Sequence, residues 1–328
     1  MVTIRDIAEI ANVSRTTVSR VLNNSTYVSK EVKERVTRAI EETGYIPSEH
    51  AKAMRTKRTK VIGVILPKIS TETTSRVVHG IDEELSSHGY QILLANSDLQ
   101  LEKEIEHLKL LQSRRVDGII IMATNTDQRL QEEIKALTVP VVALGQDIPG
   151  ITCVVYDDYH AAADLIELFI NRGRGRIGFI GVNEKDNAVG HLRRKAYLDR
   201  MHFHKLSIEN TWMEEGTFNI HSGYEAMQTI WSTSARKPDA IFAVTDRLAI
   251  GAMEFLKEKQ INIPKEVAVA GIGASELSKY VTPPLTTVDY FNNEAGRVTA
   301  IHLLKKLNIH CQTEKKLLGY RLIKRDSL

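Results

Sequence analysis

The spacing of apolar residues divides this chain into two textures. Between residues 3 and 43 they recur at intervals of three and four: Ile4, Ile7, Ala8 and Ala11, then Val18, Val21 and Leu22, then Val32, Val36, Ala39 and Ile40. Each set makes one stripe along a helix. Thr3 with Asp6 has the form of a capping box, Ser14 and Ser29 stand as N-caps, and Gly44 is placed to stop the third helix. Asn12-Val13 leaves only a tight turn between the first two helices. The pattern predicts a helix-turn-helix within a three-helix head over 1–46.

Residues 47–60 break the pattern. Pro47 turns Ile46 away from helix, and Ser48 can cap the segment after it. Glu49–Arg55 favours helix but is too short to hold alone, and Lys57-Arg58-Thr59-Lys60 is basic. Such a stretch is either a solvated linker or a helix ordered by a partner. From Val61 onward continuous apolar runs of strand length alternate with amphipathic helices: Val61–Leu66, Tyr90–Ala95, Val116–Met122 and Val139–Leu144. After a switch near Val155–Tyr159 the rhythm restarts with Ile177–Gly181, Thr211–Glu214, Ala240–Val244 and Val267–Ile272. This alternation predicts an α/β core over 61–328, with parallel, doubly wound sheets in two lobes. The lobes are expected at about 61–156 plus 289–315, and about 157–288 plus 316–328. The helix Asn293–Leu307 and the strand-like Lys316–Ile323 cross back between them. A cleft between lobes, at strand C-terminal ends, suits a small ligand.

Charge sharpens the division. The first 60 residues carry twelve Lys and Arg against seven Asp and Glu, so the net +3 of the chain is +5 at the head and −2 elsewhere. A basic head on a slightly acidic body points to nucleic-acid contact at the N-terminus. The second helix bears Arg15, Thr16, Ser19 and Arg20 outward and no acid, a face suited to a DNA major groove; an ordinary amphipathic surface helix has the same form. Cys153 and Cys311, the only cysteines, make neither a disulfide framework nor a Cys-based zinc site. The N-terminus has no signal-peptide run, and no apolar run is long enough to span a bilayer, so the expected location is cytoplasmic, with no membrane partner.

Catalytic motifs are wanting. Gly173-Arg-Gly-Arg-Ile-Gly178 matches a dinucleotide fingerprint in letters only, because a helix precedes it and a strand comes after it. His202 and His204 have no carboxylate or cysteine at ligand spacing. Asp157 and Asp158 are adjacent and so point in different directions. No nucleophile elbow or phosphate loop occurs. The chain is not read as an enzyme, and no cofactor or metal is expected.

The residues resemble the lactose-repressor/galactose-repressor (LacI/GalR) family of bacterial transcription regulators. The matches run in order: Ile4-Arg5-Asp6-Ile7-Ala8, Val13-Ser14, Val18–Asn23, Gly44–Pro47, Val116–Ile119, Thr245-Asp246 with Ala249–Ala252, and Pro283–Val288. The resemblance implies a homodimer on pseudo-palindromic double-stranded operator DNA. It makes Arg15, Thr16 and Arg20 base-reading positions, and Thr3, Ser14, Thr17, Asn23 and Ser29 phosphate contacts. The weak linker helix becomes a hinge helix that orders on DNA, with Met54 as an apolar minor-groove wedge and Ala51 and Ala53 small enough for two such helices to meet.

The core is similar to periplasmic sugar-binding proteins. Position by position, the resemblance places an effector near Lys68, Ser70, Gln146, Arg193, Phe218, Thr245, Asp246, Gly273 and Tyr290. Gly273 departs from the Asp with which many members grip a ligand. With Lys68 and Arg193 as paired cations, this favours a phosphorylated sugar. Val155–Asp158 and Val189–Tyr197 are most similar to trehalose-operon and sucrose-operon repressors, which implies a disaccharide phosphate such as trehalose 6-phosphate or sucrose 6-phosphate. The expectation is a repressor of a carbohydrate-utilisation operon, released by its effector. The alternatives are a catabolite-control regulator driven by a phosphoprotein corepressor and a repressor answering a free sugar. The segment ending Arg321–Leu328 contains no leucine-heptad helix, so the expected oligomer is a dimer.

Overall fold

A computed structural model of the protein describes residues 2–22, 27–45, 58–309 and 312–328. Backbone contacts divide the chain into two units, 1–59 and 60–328. Asn23, Ala51, Ala53, Met54 and the hinge-helix segment lie outside the described residues.

In the first unit α1 (Ile4–Ile10), α2 (Arg15–Leu22) and α3 (Lys30–Thr43) enclose Ile7, Ala8, Ala11, Val18, Val21, Val36 and Ala39. Ile4, Leu22, Val32 and Ile40 pack around that centre half-buried. The caps form as the sequence predicts. Thr3 N–H donates to Asp6 at 2.8 Å and Thr17 N–H to Ser14 Oγ at 3.1 Å. Asn12 turns the chain at φ 48°, and Gly44 ends α3 at φ 62°.

The second unit holds a six-stranded parallel sheet in the order β11-β5-β4-β3-β1-β2. Its strands are β1 (Val61–Leu66), β2 (Gln91–Asn96), β3 (Gly118–Met122), β4 (Val141–Leu144), β5 (Thr152–Tyr156) and β11 (Lys315–Leu318). Helices α4 (Glu72–Ser87), α5 (Leu101–Ser113), α6 (Gln128–Ala136) and α12 (Asn292–Asn308) cover it. A second parallel sheet runs β7-β6-β8-β9, from Met213–Glu215, Ile177–Gly181, Ala240–Ala243 and Ala268–Ala270. It is covered by α7 (Asp158–Ile170), α8 (Arg193–Phe203), α9 (Ile220–Thr233) and α10 (Asp246–Glu258). After the short α11 (Leu277–Tyr280), β10 (Thr287–Asp289) pairs antiparallel with β12 (Arg321–Ile323).

Two features differ from the sequence reading. β5 is a strand that the reading does not anticipate, because no helix separates it from β4 and strand–helix alternation leaves no place for it. The stretch Lys316–Ile323 is two strands, not one. Lys315–Leu318 completes the first sheet beside β5, so the last return to the second lobe falls after Leu318 rather than at 316.

Three crossings therefore join the lobes, and each carries a tyrosine. Tyr156 stacks on Tyr290 at 4.8 Å between ring centres, and Tyr290 meets Tyr320 edge-on at 6.5 Å. Close helix pairs stiffen both lobes. A Cβ on Gly80 of α4 would lie 1.9 Å from the Asn293 carbonyl oxygen of α12, and one on Gly251 of α10 would lie 2.0 Å from that of Ile220 in α9.

Candidate nucleic-acid interface and ligand cleft

On α2 the inward Val18 and Val21 fix the helix, which turns Arg15, Thr16 and Arg20 to solvent. These three make no hydrogen bond or ion pair among the described residues. Thr3, Ser14 and Ser29, the expected phosphate contacts, are exposed N-cap residues. Thr17 is half-buried, its hydroxyl 2.9 Å from that of Ser14. Exposed donors at helix N-termini, beside a cationic helix face, can position phosphates and read base edges.

In the second unit a cavity of about 220 Å³ opens between the lobes at strand C-terminal ends. Lys68, Gln146, Arg193, Phe218, Thr245, Asp246, Gly273 and Tyr290 all line it. Each arrives from a local feature. Lys68 comes just after β1, and Gln146 comes after β4 through Gly145 at φ 96°. Thr245 caps α10 and Asp246 is its first residue. Ser70 is not in the lining. It is exposed, and its carbonyl accepts from Arg247 across the lobes at 3.0 Å.

The expected role of Arg193 needs correcting. Arg193 is buried and is not a free cation. It donates to Asp158 through Nε at 2.7 Å and Nη2 at 2.5 Å, and Nη1 meets the Val244 carbonyl. The Tyr290 hydroxyl donates to the same carboxylate at 3.0 Å. The sequence reading pairs Arg193 with Lys68 because it has no strand at β5 to carry Asp158 into the cleft. Asp246 is likewise occupied. It accepts from Ser275 N–H at 2.7 Å, Ser275 Oγ at 2.8 Å and the Thr287 hydroxyl. Burial raises its pKa, against those hydrogen bonds. A Cβ on Gly273 would stand 3.6 Å from the Asp246 carboxylate, and φ is 143° there, so Gly273 leaves this corner to Asp246.

The cations left facing the cavity are Lys68 and Arg247, neither with a carboxylate partner among the described residues. Arg247, from the second lobe, is tied to the main chain two residues past Lys68 of the first. Elsewhere in the lining Asp186, which caps a π-helix (Asn187–Leu192), accepts from Gln146 Nε2 of the other lobe at 2.7 Å. The Ala188 N–H donates back to Gln146 Oε1 at 3.2 Å. Burial raises the Asp186 pKa. The sequence reading misses Asp158, Asp186 and Arg247. Their signal is an acid or cation within a few residues of a strand's C-terminal end.

Motifs set aside on sequence have structural roles. Gly173 turns the chain between α7 and β6 at φ 78°, and Arg174 donates to the Pro264 carbonyl at 2.5 Å. His204 bonds Glu167 at 2.8 Å, Asp157 caps α7, and no metal-holding cluster occurs among the described residues.

Comparison with known proteins agrees with this architecture. Residues 3–48 match the family model for bacterial regulatory proteins of the lacI family, and residues 166–328 match the periplasmic binding protein-like domain. The chain is 33% identical over 327 residues to the transcriptional regulator RegA of Clostridium saccharobutylicum, covering 99% of this chain and 98% of that one. Among solved structures it resembles the lac repressor dimer bound to operator and an anti-inducer, with TM-score 0.91, 25% identity and coverage of 99% and 98%. It also resembles the CelR–cellobiose complex, with TM-score 0.76, 26% identity and full coverage of both chains. The relatives are regulators, not enzymes. A helix-turn-helix head with a cationic outer face, joined to a two-lobed α/β core, makes this chain a member of the LacI family of DNA-binding transcriptional repressors.

Proposed function

We propose that the protein represses a carbohydrate-utilisation operon as a homodimer and leaves its operator when a sugar phosphate, most simply a disaccharide phosphate, enters the cleft. The observation that carries this reading is the pair of cations without a carboxylate partner among the described residues, Lys68 from the first lobe and Arg247 from the second, at a cavity that also offers Asp158, Asp186 and Gln146 as acceptors. The cations suit a phosphate, and the acceptors suit sugar hydroxyls. The likeness to a cellobiose complex supports a sugar of disaccharide size. Exposed apolar side chains on the second unit, Ile69, Leu93, Leu94, Leu277 and Tyr280, support self-association.

A ligand shifts the lobes only by its differential affinity for their arrangements. Here a molecule bonded to both lobes would fix one of them and thereby set operator affinity. Calorimetry with trehalose 6-phosphate, sucrose 6-phosphate and the free sugars is the test. One phosphate ester should bind at least tenfold tighter than its free sugar, and Lys68→Met should erase that margin. Tighter binding of the free sugar rejects the reading.

A further inference from the structure

The tyrosines of the three lobe crossings are each anchored through the hydroxyl to a helix. Tyr156 ends β5 of the first sheet, in register with Leu318 of β11, and donates to Asn292 Oδ1 at the start of α12 at 3.0 Å. Tyr290 comes just after β10, which the Ala270–Thr286 bridge joins to the second sheet, and it donates to Asp158 at the start of α7 at 3.0 Å. Tyr320 comes just before β12 and donates to Asp164 of α7 at 2.6 Å. Tyr156 is thus fastened to the first lobe, and Tyr290 and Tyr320 to the second. Tyr290 is steadied further by the edge of Tyr320 and by the Arg193 guanidinium, 5.4 Å from its ring centre. The rings of Tyr156 and Tyr290 meet at 4.8 Å with 28° between their planes. Among the described residues, this is the ring pair with one member fastened to each lobe.

We propose that the Tyr156–Tyr290 stack is the bearing on which the two lobes turn, and that it holds them in their present setting. Turning one lobe against the other about the crossings must slide one ring over the other, because each ring is anchored to its own lobe. An aromatic pair prefers an offset stack or an edge-on meeting to other arrangements. The stack therefore resists turning and favours a few settings over a continuum. Both rings also line the cleft, so whatever fills the cleft lies against the hinge itself. The setting is registered at two edges of the cleft. Gln146 of the first lobe accepts from the Ala188 N–H at 3.2 Å, and Glu72 of α4 accepts from the Glu276 N–H of the second lobe at 2.7 Å. Both bonds break when the lobes part. The bearing does not depend on which molecule the cleft takes.

The test uses the full chain without effector or DNA. Hydrogen exchange is read at the Ala188 and Glu276 amides, whose acceptors lie in the other lobe, with β1 and β8 inside the two lobes as controls. Tyr156→Leu, which removes the ring, should lower protection at both amides about tenfold, the scale of one aromatic pair, and leave β1 and β8 unchanged. Tyr156→Phe, which keeps the ring, should retain most of that protection. Tyr320→Ala, at a half-buried position, removes the edge that steadies Tyr290 and should give the same pattern to a smaller extent. Unchanged protection at both amides in Tyr156→Leu, or in Tyr320→Ala should the leucine variant not fold, overturns the proposal. So does a loss that spreads equally to β1 and β8, which marks general destabilisation. A loss in Tyr156→Phe as large as in Tyr156→Leu also overturns it, because the hydroxyl and not the stack then holds the lobes.

Discussion

Nε and Nη2 of Arg193 both converge on one oxygen of Asp158, at 2.7 and 2.5 Å, with both side chains buried. The pair ties the first residue of α7 to the first residue of α8, and Tyr290 of a lobe crossing leans on the same carboxylate. Losing the guanidinium strands a buried charge, which costs about 3–5 kcal/mol. Arg193→Met should therefore lower the melting temperature of the core by about 10 °C. Asp158→Asn with Arg193→Met should recover part of the loss. Thermal denaturation of the two variants beside the wild type checks this, and an Arg193→Met protein as stable as the wild type would contradict it.

Glu104 makes stability fall with rising pH. Its ordinary value is 4.5, and burial on α5 raises it to about 7 in the fold, so the folded state binds the proton more tightly. The cost is absent well below pH 4.5, grows between the two values, and reaches about 3 kcal/mol above them. Urea unfolding should show Glu104→Gln gaining about 2–3 kcal/mol relative to wild type between pH 5 and pH 7.5. A constant difference across that window would place the proton elsewhere.

The head offers a separable test. Arg20→Ala should weaken binding to an operator selected by the wild-type protein by about 1–3 kcal/mol and relax the preference at one base pair. Ser14→Ala should cost about 1 kcal/mol of head stability through the lost cap, weakening binding without changing the preferred sequence. Binding measured against a panel of single-base operator variants separates the two effects.

Helix approach in the core tolerates no methyl group. Gly251→Ala would drive Cβ into the Ile220 carbonyl, and Gly80→Ala into that of Asn293. Each should destabilise by about 1–3 kcal/mol, through backbone shifts that push one helix off the other. A control, Gly89→Ala, meets no atom within 4 Å, but its φ of 72° carries a backbone cost of its own. The sterically blocked pair should exceed that control in urea unfolding.

The elements legible in the sequence are those whose signals are local. Stripes of apolar residues, the caps at Thr3, Ser14 and Ser29, and the stop at Gly44 define the head almost to the residue. The buried runs of β1, β3, β6 and β8 are equally plain. β2 is also readable, although Leu93 and Leu94 are exposed there, because its apolar run survives at a sheet edge. The features that escape depend on pairing between distant segments. β11 is a strand of the first lobe only because β5 lies beside it, and Arg193 is neutralised only because Asp158 reaches it from 35 residues earlier. Of the nine residues that resemblance names for an effector, all but Ser70 line the cavity. The charge state of that lining is not legible until its partners are in view.

The last crossing also has a consequence for synthesis. β11 closes the first sheet. Ser327 stitches the second lobe, bonding the Val269 carbonyl at 2.6 Å and receiving the Thr286 N–H at 2.8 Å. Neither lobe can finish folding until the segment Lys315–Ser327 has left the ribosome, whereas among the described residues the core of the head uses none beyond Tyr45. A growing chain thus carries the helical head well before its core can fold.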